Sequence, residues 1–185
     1  MRDNKEKQKT LTDYLSLALT TFGVGYIPLA PGTWGSAVGV LIYLCLRQIE
    51  TFEIPALLAQ GWQAAQISAW VIDVNSILLV VFCLIGILAS DRASILFNKK
   101  DPQKVVVDEV MGQLITFSFV PFDISWKLIL AGFLLFRLFD IWKPYPIDAL
   151  QNLPAGIGVC ADDILAGVYG GVCLAIIYSI SLTWF

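Results

Sequence analysis

Two pairs of adjacent acids, Asp108-Glu109 and Asp162-Asp163, adjoin apolar stretches of the chain, and a further acid, Asp140, sits near Arg137 and Lys143. Carboxylates at the ends of apolar helices are costly to desolvate without compensation. If these acids converged they would repel one another. A divalent cation relieves that repulsion, and hard oxygen ligands select Mg²⁺ or Mn²⁺. Adjacent acids on a helix point about 100° apart, so one of each pair faces a given site and its neighbour serves a second metal or the outer shell. Arg137 and Lys143 add positive charge, and Arg binds phosphate oxygens bidentately. Two plainer readings stand beside these. Asp162 could cap a helix over 163–184, and Arg137, three residues before Asp140, could simply pair with it.

The chain has no His. That excludes Ser-His-Asp hydrolysis, Cys-His pairs and phosphohistidine intermediates, and leaves carboxylates, Lys, Tyr or water for acid–base work. The cysteines, Cys45, Cys83, Cys160 and Cys173, form no C-x-x-C pair and have mostly apolar neighbours, so they read as buried small hydrophobes. None is followed at the required spacing by the Arg of a Cys-x5-Arg phosphate loop. A further candidate is the Gly/Pro-rich run from Gly23 to Ser36. It places Thr33, Ser36 and free backbone donors just before an apolar segment, as at an anion-binding helix N-terminus.

The elements that must position these groups are membrane helices. Hydrophobic residues make up 57% of the 185 residues and charged residues 15%, with mean hydropathy +0.74. Typical soluble domains hold roughly 45–50% and 25%. This excludes a disordered chain and a nucleic-acid binder and makes a small helical membrane protein the expected class. One domain over 1–185 is expected, with 1–10 as a polar tail. Prolines and glycines forbid a continuous helix through 23–36. Short apolar segments follow at 37–46, 77–89, 110–122 and 128–139, and only 164–185 has the length of a full span. The mixed segment 50–75, with Trp62 and Trp70, reads as interfacial. Alternating crossings by these segments place all of the twelve Lys and Arg except Arg47 and Lys127 on the N-terminal side. The positive-inside rule makes that side cytoplasmic. Asp101 and the acids named above fall on the same side. Gly167, Gly170 and Gly171 in the last segment are expected to allow close helix packing.

Four blocks of this sequence resemble the phosphatidylglycerophosphatase A family over about residues 20–170: Pro31-Gly32-Thr33-Trp34-Gly35-Ser36, Val106-Val107-Asp108-Glu109-Val110-Met111-Gly112, Phe136-Arg137-Leu138-Phe139-Asp140-Ile141-Trp142-Lys143-Pro144-Tyr145-Pro146-Ile147, and Gly156-Ile157-Gly158-Val159-Cys160-Ala161-Asp162-Asp163 continuing to Gly167. Ala155 and Tyr145 depart from the residues common in that family, and neither departure removes a charge. The resemblance implies an all-α membrane phosphatase that uses Mg²⁺ to remove the terminal phosphate of phosphatidylglycerophosphate, a phospholipid substrate in the bilayer. It maps the family's acids onto Asp101, Asp108, Glu109, Asp140, Asp162 and Asp163, and its basic residues onto Arg137 and Lys143.

The expected mechanism has Mg²⁺ held by some of these acids and a water as nucleophile. Asp163 or Asp108 accepts its proton. Arg137 and Lys143 stabilise phosphoryl charge, and Thr33 and Ser36 orient the phosphate. The expected location is the plasma or inner membrane with the site on the cytoplasmic face. The rival class is a non-enzymatic transporter or assembly subunit with an acidic ion path. A lipid-headgroup transferase ranks low because its Asp-Gly-x-x-Ala-Arg signature is missing.

Overall fold

The computed structural model describes residues 9–121 and 123–184, which form seven α-helices and no strand. Residues 1–8 of the expected tail, Phe122 of the apolar segment 110–122 and Phe185 of the segment 164–185 lie outside the described residues.

Helix α1 (Leu11–Thr21) starts at a capping box. The Thr10 hydroxyl accepts from the Asp13 amide at 3.3 Å, and Asp13 Oδ2 accepts from the Thr10 amide at 2.8 Å. The other Asp13 oxygen accepts from Arg92 Nε at 2.6 Å, which ties α1 to α3. A short 3₁₀ turn (Val24–Tyr26) then leads to α2 (Pro31–Ala59). The Gly/Pro run is therefore non-helical only as far as Ala30, six residues short of the expected end. Pro31 occupies the first helical position, where its missing N–H costs nothing. The glycines inside α2 make room for another helix. A Cβ on Gly35 would lie 2.9 Å from Val106 Cβ, and one on Gly39 would lie 2.8 Å from Gln113 Cβ.

The 50–75 segment is not a separate interfacial element. It forms the ends of two long helices, broken only at 60–63, where Gly61 has φ +90° and Gln63 begins a capping box with Gln66. Helix α3 (Ala64–Phe97) is 34 residues long, so the last segment is not alone in having spanning length. Both α3 and α7 (Ala155–Trp184) are long and apolar enough to cross a membrane. Only 11% of α3's most apolar window is buried in the protein, the reverse of a soluble core helix. Its apolar side chains face outward, as lipid-facing ones do.

Between the long helices lie α4 (Val107–Phe117), α5 (Trp126–Trp142) and the single turn α6 (Ile147–Leu150). At 11 residues, α4 is about 16 Å long, half of a ~30 Å hydrocarbon core. Its helical part alone is too short to cross. The chain continues to Asp123, just before α5, and returns through α5, whose 17 residues rise about 25 Å. This hairpin leaves both its ends on one side, so the expected grouping of the acids survives.

Helix α4 is the hub of the fold, packed against α2, α3, α5 and α7. Val107, Val110, Met111, Ile115 and Phe117 are buried along it. Its contact with α7 is very close: a Cβ on Gly167 would fall 3.0 Å from Gly112 Cα, and Thr116 Oγ1 lies 3.1 Å from the Gly167 carbonyl. Gly170 and Gly171 likewise abut Phe136 and Phe119, as close packing through these glycines requires. The four cysteines are free thiols; Cys160 is buried, but Cys45 is exposed on α2 rather than buried as expected.

Candidate active site

The acids converge at one end of the bundle because three helices present them from different sides. Asp108 and Glu109 occupy the first turn of α4, whose start is held by the Val106 amide donating to the Thr20 carbonyl at 2.8 Å. Asp140 lies in the last turn of α5. Asp162 and Asp163 do not cap a helix. Helix α7 begins at Ala155, so they lie inside it, about 10 Å below its start. The extra two turns come from 155–161, ahead of the segment at 164–185 in which the span was expected.

Asp108, Glu109 and Asp163 each offer a carboxylate oxygen within 4.8 Å of the others. Asp108 and Asp163 are 7% and 4% exposed. Burial, then the Glu109 and Asp163 charges, push the Asp108 carboxyl well above the usual range. Burial also raises Glu109. Three buried oxygens, Asp108 Oδ1, Glu109 Oε2 and Asp162 Oδ1, have no hydrogen-bond partner. Five carboxylates face two cations, and those cations are already engaged. Arg137 Nη1 donates to Asp140 Oδ2. Lys143 Nζ donates to Asp162 Oδ2 and lies 3.9 Å from Asp140 Oδ1. Burial works against the Lys143 ammonium, but the Asp162 hydrogen bond and the Asp162, Asp163 and Asp140 charges outweigh it and raise its pKa. Buried oxygens without partners, of the hard type that Mg²⁺ prefers, make this donor set a fit for that ion.

A cavity of about 310 Å³ opens onto the cluster. That is the small end of ligand pockets, suited to a headgroup rather than a whole lipid. Asp101, Asp108, Glu109, Asp140, Lys143, Asp162 and Asp163 line it. Arg137 does not; it stands behind Asp140, next to the start of α2, where a Cβ on Gly32 would lie 3.0 Å from its Nη1. The plainer expectation, pairing with Asp140, describes its contact. Thr33 and Ser36 are not brought to the cavity either. Ser36 is fully buried and its hydroxyl donates to the Gly32 carbonyl at 2.9 Å. The run contributes Pro28 and Pro31 to the lining instead. Gln103 is a lining residue that the sequence reading missed. Its one signal is its place between Asp101 and the Val105 to Val107 stretch that leads into Asp108.

Fold and site together define a helical membrane protein with a recessed cluster of buried carboxylates. Known proteins narrow the class. The family model for phosphatidylglycerophosphatase A matches residues 17–178. A Bacteroides thetaiotaomicron protein, named provisionally as a phosphatidylinositol-3-phosphatase, is 37% identical over 85% of this chain and 89% of its own. Proteins named phosphatidylglycerophosphatase A from Haemophilus influenzae and Escherichia coli are 31% and 28% identical, over 90% and 99% of this chain and 90% and 92% of theirs. No solved structure matches. The chain belongs to the phosphatidylglycerophosphatase A family and is an enzyme of the phosphatase class, which sets aside the transporter alternative.

Proposed function

We propose that this enzyme hydrolyses the terminal phosphate monoester of phosphatidylglycerophosphate, giving phosphatidylglycerol and phosphate, with Mg²⁺ as cofactor. The observation that carries the cofactor is the trio Asp108, Glu109 and Asp163, drawn together within 4.8 Å with buried oxygens left unpartnered. These three are the proposed ligands, with Asp162 beside them. When bound, Mg²⁺ supplies Lewis acidity that neutralises phosphate oxygens and makes water a better nucleophile.

The protein side chains do the rest. Lys143, on the cavity wall, meets phosphate oxygens and offsets the charge that develops during transfer. Arg137 holds Asp140 in place. Asp108 or Asp163 accepts the proton of the attacking water. The water oxygen bonds to phosphorus as the glycerol oxygen leaves, and the proton ends on that glycerol hydroxyl. The small cavity takes the headgroup while the acyl chains stay in the bilayer. Arg92, Lys99, Lys100 and Lys104 gather at this end of the bundle, which supports a cytoplasmic site by the positive-inside rule.

The name of the Bacteroides relative supports a second substrate, a phosphoinositide monoester. Phosphate release from phosphatidylglycerophosphate and from phosphatidylinositol-3-phosphate, compared in the same detergent micelles, separates the two. The proposal expects the higher kcat/KM on phosphatidylglycerophosphate; the reverse order overturns it.

A further inference from the structure

A second cavity, larger than the acidic one, lies apart from it. It lies between α2, α3 and the far end of α4 and has a volume of about 1110 Å³, above the roughly 300–1,000 Å³ of ordinary ligand pockets. Its walls run along α2 from Ile42 to Pro55, about 20 Å. Tyr43, Ile54, Ile72, Leu78, Phe82 and Leu114 give it an apolar lining. Ile72 and Leu78 are still 63% and 51% exposed, so the cavity opens sideways on the outer face of α3.

Its polar groups are gathered rather than scattered. Glu50 Oε1 accepts from Asn75 Nδ2 at 2.6 Å and bridges α2 to α3. Arg47 Nη2 pairs with Asp123 Oδ1 at 2.5 Å, and Arg47 Nη1 donates to the Ile124 carbonyl at 3.1 Å. Asn75 is sixteen residues from Asp91 on α3, about 24 Å along the helix axis. Asp91 lies at the acidic end of the bundle, since its neighbour Ser90 lies 3.5 Å from the Sγ of Cys160, which adjoins Val159 of the acidic cavity. A ~30 Å hydrocarbon core therefore puts Glu50, Arg47 and Asp123 near the opposite interface, with the apolar walls reaching back toward the midplane.

We propose that this cavity is a second lipid site, distinct from the catalytic one, which holds a zwitterionic phospholipid with a primary-ammonium headgroup from the opposite leaflet. Charge selects the occupant. The polar end carries one cation and two carboxylates, so it disfavours a net-anionic headgroup. The ammonium of phosphatidylethanolamine finds Glu50 and Asp123, while Arg47 faces its phosphate. The acyl chains lie against Ile72, Leu78 and Phe82.

Native mass spectrometry of the detergent-purified protein, titrated with phosphatidylethanolamine and phosphatidylglycerol of matched chains, tests this. Phosphatidylethanolamine is expected to bind about tenfold more tightly, the scale of one partly desolvated charge contact. Glu50→Gln keeps the hydrogen bond to Asn75 and is expected to abolish the preference. Asp123→Asn releases Arg47 and is expected to shift the preference toward phosphatidylglycerol. Phosphatase activity in both variants should match wild type, which shows that they fold. Equal binding of the two lipids by wild type, a preference unmoved in both variants, or a lipid-free dimer with the cavity closed would overturn the proposal.

Discussion

Lys143, at the end of α5, pairs with Asp162, two turns into α7. The contact is built on a left-handed residue: Lys143 has φ +46°, a conformation that non-glycine residues adopt at a cost. The turn places its ammonium between Asp162 and Asp140, on the cavity wall. In the proposed mechanism this ammonium is the nearest protein cation to the transferring phosphoryl group.

Lys143→Ala is therefore expected to lower kcat about 10²-fold, the usual scale for losing one charge-stabilising donor. Lys143→Arg should recover part of that loss, because the guanidinium restores the charge with different geometry. Steady-state phosphate release checks both. Wild-type kcat in Lys143→Ala would remove Lys143 from the reaction.

Cation binding should be visible without turnover. A ligand that binds only the folded protein stabilises it, by about 2.7 kcal/mol at a hundred times its Kd. Mg²⁺ is expected to raise the Tm of the detergent-solubilised wild type and to leave that of Asp108→Asn or Asp163→Asn little changed. In chelator Asp108→Asn is expected to melt above wild type, because a buried acid that repels Glu109 and Asp163 has gone. Equal Mg²⁺ shifts in all three proteins would exclude these acids as ligands.

The Asp13–Arg92 pair predicts a pH effect far from the acidic cluster. Its hydrogen bond to Arg92, with the Thr10 amide, lowers Asp13 from 3.8 to about 2 in the folded protein. A depressed folded value means that the stabilisation is complete above about 3.8 and is lost as pH falls toward 2. Asp13→Asn should thus be less stable than wild type at neutral pH, with the gap closing as pH drops through that window. Thermal unfolding of both proteins across the range measures it; a gap that widens on acidification would contradict the assignment.

The α4–α7 contact predicts a packing effect. Gly167→Ala would push a methyl into the Gly112 backbone, where there is no flexible side chain to yield. Destabilisation of about 1–3 kcal/mol is expected, as for other overpacked sites. Activity should fall along with Tm, because the same contact sets Asp163 against Asp108. A Tm equal to wild type would show that the helices part freely.

The site was more legible in the sequence than the helices that carry it. Asp108, Glu109, Asp140, Asp162 and Asp163 stood out because a chain with so few charges keeps acids beside apolar segments only where something compensates them. Helix ends were obscured by residues with two uses. Pro31 reads as a breaker but starts α2, and α7 begins at Ala155, nine residues before the expected apolar segment, running through Gly156 and Gly158. Polar side chains such as Glu50 and Asn75 read as interfacial because their bond across α2 and α3 is invisible in one dimension. Ser36 carried a donor in the right neighbourhood, yet its hydroxyl faces back to Gly32, a choice set by helix register.

The most direct test is phosphate release from phosphatidylglycerophosphate by the purified protein in detergent, with Mg²⁺, after chelation, and after Mg²⁺ is restored. Release that stops with chelator and returns with the metal is the predicted result. Release that continues unchanged in chelator, or none in any condition from protein shown to be folded, would contradict a Mg²⁺-dependent phosphatase built on Asp108, Glu109 and Asp163.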